Sequence, residues 1–212
     1  MGRAVNQQEL AERRIFDLRV LSDMRCATFD FEAYRTMADL EHRRNAVTDS
    51  TRGASVTRYR WIFRIRTHIS QNQFAPVTEI GVNTDVKDYP RVPPQTWILS
   101  SHVPWSPHFR RNAPVCIGPE LWAPSGGHIT LGELAINIAH LLNWDEKGRG
   151  RGYVGWNGQA IEHHKRAYGG NPIDPNVRYP VLPGWLAGDQ PAEPAFRIVS
   201  SGTPADPVFR VH

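Results

Sequence analysis

The sequence predicts an α+β fold: an N-terminal helix, a four-stranded antiparallel meander and then helices on one side. Three observations predict it. An amphipathic stretch opens the chain at residues 6–23, four short apolar or alternating stretches follow between turn signals, and a well-marked helix covers 130–143.

Taken in order, residues 6–23 place Leu10, Ile15, Leu18 and Leu21 on an apolar face among Glu9, Glu12, Arg13, Arg14 and Arg19, with Asn6 as the N-cap. Residues 25–34 (RCATFDFEAY) alternate and are aromatic, as a first strand would be. Residues 35–57 are charged and then small and polar, which predicts a helical turn and a long loop. In residues 58–69 Tyr59, Trp61, Phe63 and Ile65 alternate with Arg58, Arg60, Arg64 and Arg66, giving a half-buried strand with a basic outer face. Residues 74–86 supply a third strand and 96–100 a fourth. Between them stands Tyr89-Pro90-Arg91-Val92-Pro93-Pro94, whose prolines end one strand and aim the next. Prolines 104, 107 and 114 break any periodicity over 101–115, and a loop held by a sheet is where catalytic groups usually sit.

Thr130 and Glu133 form a capping box before the face Leu131, Leu134, Ile138, Leu141, Leu142. One more helix is predicted over 157–168. Residues 1–170 read as one domain, and 171–212, with eight prolines, as an extension packed on it or partly ordered.

Composition narrows the function classes. A chain of 212 residues, 40 % apolar and 22 % charged, can bury one good core. The N-terminus is polar and no apolar run reaches the roughly 18 residues of a membrane span, so a cytoplasmic protein without a signal peptide is expected. The net charge of +4 arises in residues 1–70, where 13 arginines face 9 acids. Without aromatic interleaving this points to an acidic protein partner, not to nucleic acid. Lysine is scarce, three against 22 arginines. Coding bias explains that, although few amines also suit a protein that carries an activated thioester. The two cysteines, 26 and 116, make no disulfide framework, and Cys26 reads as a small buried hydrophobe.

Between Asp88 and Glu146 the parts fall in a distinctive order: a tyrosine-proline and a proline pair, a strand, the tripeptide Ser106-Pro107-His108, Cys116 eight residues beyond it, Trp122 in a Trp-x-Pro loop, and a capped helix. This resembles the centre of a ubiquitin-conjugating enzyme, in which a His-Pro-Asn tripeptide precedes the active-site cysteine at that spacing. The resemblance extends over about residues 6–168. It implies that Cys116 accepts a ubiquitin-like modifier as a thioester from an activating enzyme, which consumes the ATP, and transfers it to a protein target without a bound cofactor. It further implies that Pro107, Ile117 and Trp122 support the loop, and that Arg13, Arg14 and Arg19 on the first helix dock the activating enzyme. Departures from the pattern suggest a distant member, such as those of bacterial conjugation operons, some of them linked to antiphage defence.

The chief departure is His108, where the family has an asparagine that orients the loop and donates to the developing oxyanion. An imidazole can donate too, and it can also take up a proton, so His108 is a candidate for oxyanion stabiliser, general base or loop brace. Glu120, Asp145 and Glu146 are acids that could assist an attacking amine, and none matches a family motif. His163-His164 does not make a metal site, because neighbours on a helix diverge by about 100° and no further ligand completes a set; an exposed helix face is expected there. Two other functions remain open. One is a noncatalytic binder of ubiquitin-like proteins on the same fold. The other is a cysteine hydrolase pairing Cys116 with His108 or His128, though the helix that should carry such a nucleophile starts only at Thr130.

Overall fold

A computed structural model describes residues 7–33, 61–66, 68–70, 73–74, 77–86, 88–100, 103–104, 106–110, 113–117, 119–122, 129–145 and 155–186. The proposed N-cap Asn6, the loop over 35–57 and the tail beyond 186 lie outside these residues.

Helix α1 spans Gln7–Asp23. Its inward stripe differs from the expected one: Asp17, Val20 and Leu21 are buried, followed by Met24, while Ile15 is 53 % exposed. The reason is a charged network inside the stripe. Arg13 Nε donates to Asp17 Oδ2 at 2.8 Å, Tyr89 Oη donates to the same oxygen at 3.1 Å, and the Leu131 N–H donates to Asp17 Oδ1 at 2.9 Å. Arg13 also reaches the carbonyl of Ile129. Burial pushes the Asp17 carboxyl up from the usual range, and the Arg13 guanidinium and the donated hydrogen bonds pull it back down. A hydrophobic-periodicity reading passes over such a residue, because its partners come from distant parts of the chain.

Strands β1 (Phe29–Ala33), β2 (Trp61–Ile65), β3 (His68–Ser70), β4 (Gln73–Phe74), β5 (Thr78–Asn83) and β6 (Gln95–Ile98) follow. Among them β1-β2-β5-β6 form one antiparallel sheet in that order, as the sequence predicts, while β3 and β4 pair as a separate small hairpin. The first strand starts later than expected, because Cys26 and Phe29 bond to each other through their backbones and close a turn. Cys26 is therefore exposed, not buried. On β2, Ile62 is fully buried on the face assigned to solvent. Arg64 beside it is not a free cation: its guanidinium bonds Glu32 on β1 and, at 3.2 Å, Glu79 on β5, both within reach across the register Asp30↔Arg64↔Glu79.

The Tyr89-Pro90 bond is cis, within the turn that leads to β6. After a short helix α2 (Pro119–Trp122) comes α3 (Leu131–Leu142), with Thr130 and Glu133 in the predicted capping box. Leu131, Leu134, Ile138, Leu141 and Leu142 are all buried and join Phe29, Phe31, Phe63, Ile65 and Ile80 of the sheet in one core. Helices α1 and α3 approach closely at Gly132, where a Cβ would lie 2.5 Å from Met24 Sδ and 2.6 Å from Val20 Cγ1. Helix α4 (Gly158–Tyr168) is capped by Asn157 and stops at Gly169, which is left-handed with φ 57°. Its two histidines diverge in a way the sequence reading missed. His163 is exposed, whereas His164 is fully buried, edge-on to Trp144 at 4.7 Å with Nε2 2.7 Å from the carbonyl of Asn171.

Of the Pro-rich extension, residues 171–186 pack on the domain as a strap. Asn143 at the end of α3 bonds Asp174 at both its N–H and its carbonyl, and also Tyr179 Oη at 2.7 Å. Tyr179 stacks on His140 with ring centroids 3.8 Å apart. The strap ends in a 3-10 turn at Gly184–Leu186, where Trp185 donates to Asp23 at 2.9 Å and packs against Phe16 of α1. Among the described residues no helix is long and apolar enough to cross a membrane.

Candidate active site

The segment that carries Cys116 runs beside β6, an edge strand. The Val115 N–H donates to the Thr96 carbonyl at 2.9 Å, which places the segment along that edge. The Ile117 N–H then donates to the Val115 carbonyl at 2.9 Å, closing a three-residue turn with Cys116 at its apex. The Cys116 N–H itself donates to the carbonyl of His108 at 3.1 Å. Cys116 is intermediate in exposure, between two buried neighbours, Val115 and Ile117, that anchor the turn in the core.

The tripeptide is held from the other side. Ser106, Pro107 and His108 are buried, and the Ser106 hydroxyl accepts from the His108 N–H at 3.2 Å. The Pro107 carbonyl accepts from Trp156 N–H at 2.6 Å and from Asn157 N–H at 3.3 Å, at the start of α4. This approach is so close that a Cβ on Gly155 would collide with the Pro107 carbonyl. From below, Asn137 of α3 donates to the Ile117 carbonyl at 3.4 Å. A cysteine on irregular backbone is thus fixed from the sheet edge, the tripeptide and α3.

The predicted residues fall into two groups. Pro107, His108, Cys116 and Ile117 lie together, joined by the bond from Cys116 N–H to the His108 carbonyl. Trp122 packs elsewhere, in a small cluster with Tyr89 and Ile129, its indole N–H on the Pro90 carbonyl at 2.7 Å. It anchors the chain after the cysteine to the turn before β6. On α1, Arg13 is committed inside the molecule, Arg14 pairs with Asp85, and the Arg19 guanidinium lies over the Trp185 ring at 4.5 Å. Asp145 is buried at the far end of α3, 3.0 Å from His140 Nδ1. Glu146 and His128 lie outside the described residues, as does the Glu120 side chain. Among the described residues no group of three or more histidine, cysteine or acidic side chains could hold a metal ion.

Sequence reasoning missed Asn137, Gly155 and Trp156. Asn137 carried a signal, being an amide inside the apolar run Ala135-Ile136-Asn137-Ile138-Ala139; Gly155 was hidden within a glycine-rich run. No protein-family model matches the chain, nor does any curated protein or solved structure.

Proposed function

We propose that the protein accepts a ubiquitin-like modifier as a thioester on Cys116 from an activating enzyme and passes it to an amine of a protein target, as ubiquitin-conjugating enzymes do. The observation that carries this reading is the hydrogen bond from Cys116 N–H to the His108 carbonyl, which ties the tripeptide to a cysteine at the apex of a tight turn. The order of the elements, helix, four-stranded meander, cysteine segment, capped helix and late helix, supports the same reading.

In the first step the Cys116 thiolate attacks the carbonyl carbon of the incoming thioester. A new S–C bond forms, the bond to the activating enzyme's sulfur breaks, and that sulfur leaves as thiolate. In the second step the target amine attacks the same carbon, an N–C bond replaces the S–C bond, and Cys116 departs as thiolate while the amine proton passes to solvent. A sulfur on irregular backbone between fixed neighbours serves both steps, since it must meet two different partners without being displaced.

His108 acts here as a positioning residue. Its side chain is 1 % exposed and its carbonyl holds the cysteine, which favours bracing over contact with an incoming lysine. Docking of the activating enzyme falls to Arg14 and Arg19, with Arg13 holding their helix in place.

The test is a loading assay with activating enzyme, modifier and ATP, run with and without reductant. The wild type should give a reductant-sensitive adduct, Cys116→Ser a resistant one, Cys116→Ala none, and His108→Asn an adduct like the wild type's. An uncharged wild type beside a charged activating enzyme would favour the noncatalytic binder.

A further inference from the structure

Three large apolar side chains among the described residues stand exposed: Ile15 at 53 %, Trp156 at 56 % and Val181 at 74 %. Ile15 lies on α1 and Val181 in the strap, whereas Trp156 lies at the candidate site. Its backbone N–H is bonded to the Pro107 carbonyl, and the next residue along the tripeptide, His108, bonds Cys116. Two hydrogen bonds and one peptide link therefore separate Trp156 from the cysteine.

The mounting is rigid. Gly155 has no room for a Cβ against Pro107, and Asn157 is fixed by its own bond to the Pro107 carbonyl and by capping α4, its side chain accepting from Ala160 N–H at 3.2 Å. A tryptophan held this firmly yet left half in water gives up the gain of burying its indole, and a preorganised aromatic of this kind is the usual anchor of a binding surface. We propose that Trp156 contacts the C-terminal tail of the modifier carried on Cys116. This rests on the thioester reading of Cys116. A chain joined to that sulfur must lay its last residues on the surface around it. Among the described residues Ser106, Pro107 and His108 are buried and present little there, whereas Trp156, whose backbone is tied to Pro107, offers exposed apolar surface.

The experiment uses the full chain in a Cys26→Ala background, which leaves Cys116 as its single thiol. Two probes share one leaving group: the C-terminal thioester of ubiquitin with mercaptoethanesulfonate, and S-acetyl mercaptoethanesulfonate, which has no tail. Adduct formation is followed by intact mass. Trp156→Ala should slow loading from the ubiquitin thioester about tenfold, the scale of an interface anchor. It should leave acetyl transfer and the melting temperature unchanged, and Trp156→Phe should recover most of the rate. Equal ubiquitin loading in wild type and Trp156→Ala, or an equal loss with both probes, would overturn this inference alone. Failure of the unsubstituted Cys116 to take up either probe would overturn the thioester reading and this inference with it.

Discussion

The two cysteines of this chain sit in opposite settings. Cys26 is exposed in a turn closed by its backbone bonds to Phe29, with Sγ 3.3 Å from the Thr28 hydroxyl, at the rim of an open groove of about 440 Å³ between that turn and the strap. Cys116 is less accessible, and its backbone is gripped by the sheet edge and the tripeptide. Exposure alone would choose Cys26, whereas the proposed thioester chemistry is placed on Cys116. Group transfer needs a nucleophile whose position survives the arrival and departure of bulky partners, and that position comes from the backbone around Cys116.

Substitutions around each cysteine can break or sharpen this contrast. The largest effect on stability is expected at Asp17, on the helix that leads to Cys26 but bonded to the start of α3, the helix whose Asn137 holds the Ile117 carbonyl. Asp17→Ala leaves the Arg13 guanidinium buried without its carboxylate and should cost about 3–5 kcal/mol in denaturant unfolding, the usual loss on breaking a buried pair. The Cys116 thiol should then become fully reactive on milder denaturation than in the wild type, whereas Cys26, exposed already, should react at the same rate in both.

Next is Gly155→Ala, whose new methyl meets the Pro107 carbonyl. It should cost about 1–3 kcal/mol, as overpacking does, and slow loading of Cys116 while leaving Cys26 alkylation unchanged. Gly158, three residues on, has open space around its Cβ position, and Gly158→Ala should stabilise by about 0.5 kcal/mol with normal loading. At the other cysteine, Thr28→Val removes the hydroxyl's 2.7 Å bond to the Arg178 carbonyl and should cost about 1 kcal/mol with no change at Cys116. A loss of loading in this variant would mean that the two regions are coupled.

Much of the fold was legible where local rules and packing agree. The capping box at Thr130 and Glu133, the apolar face of α3, the Asn157 cap and the strand meander all follow from short-range patterns. What failed depended on distant partners. Asp17 took an inward position that Ile15 was expected to fill, because Arg13, Tyr89 and Leu131 converge on it. Arg64 was taken for part of a basic face and is matched by acids on both neighbouring strands. His164 was placed on a solvated face, yet Trp144 and Asn171 bury it. The strap over α1 and α3 was left between two descriptions, since proline-rich chain carries no periodicity to say where it docks. At the site, the spacing of His108 and Cys116 was visible, whereas the clamp by Gly155 and Trp156 comes from backbone atoms that no side-chain pattern reports.

The most direct test of the central claim is to map the adduct. The wild-type protein is loaded with modifier, activating enzyme and ATP, then quenched, digested and read by mass spectrometry for the peptide bearing the modifier's last residues. Attachment through sulfur at Cys116 is the predicted result, with Cys26 unmodified. Attachment at Cys26, or at Lys87, Lys147 or Lys165 with Cys116 still free, would contradict it.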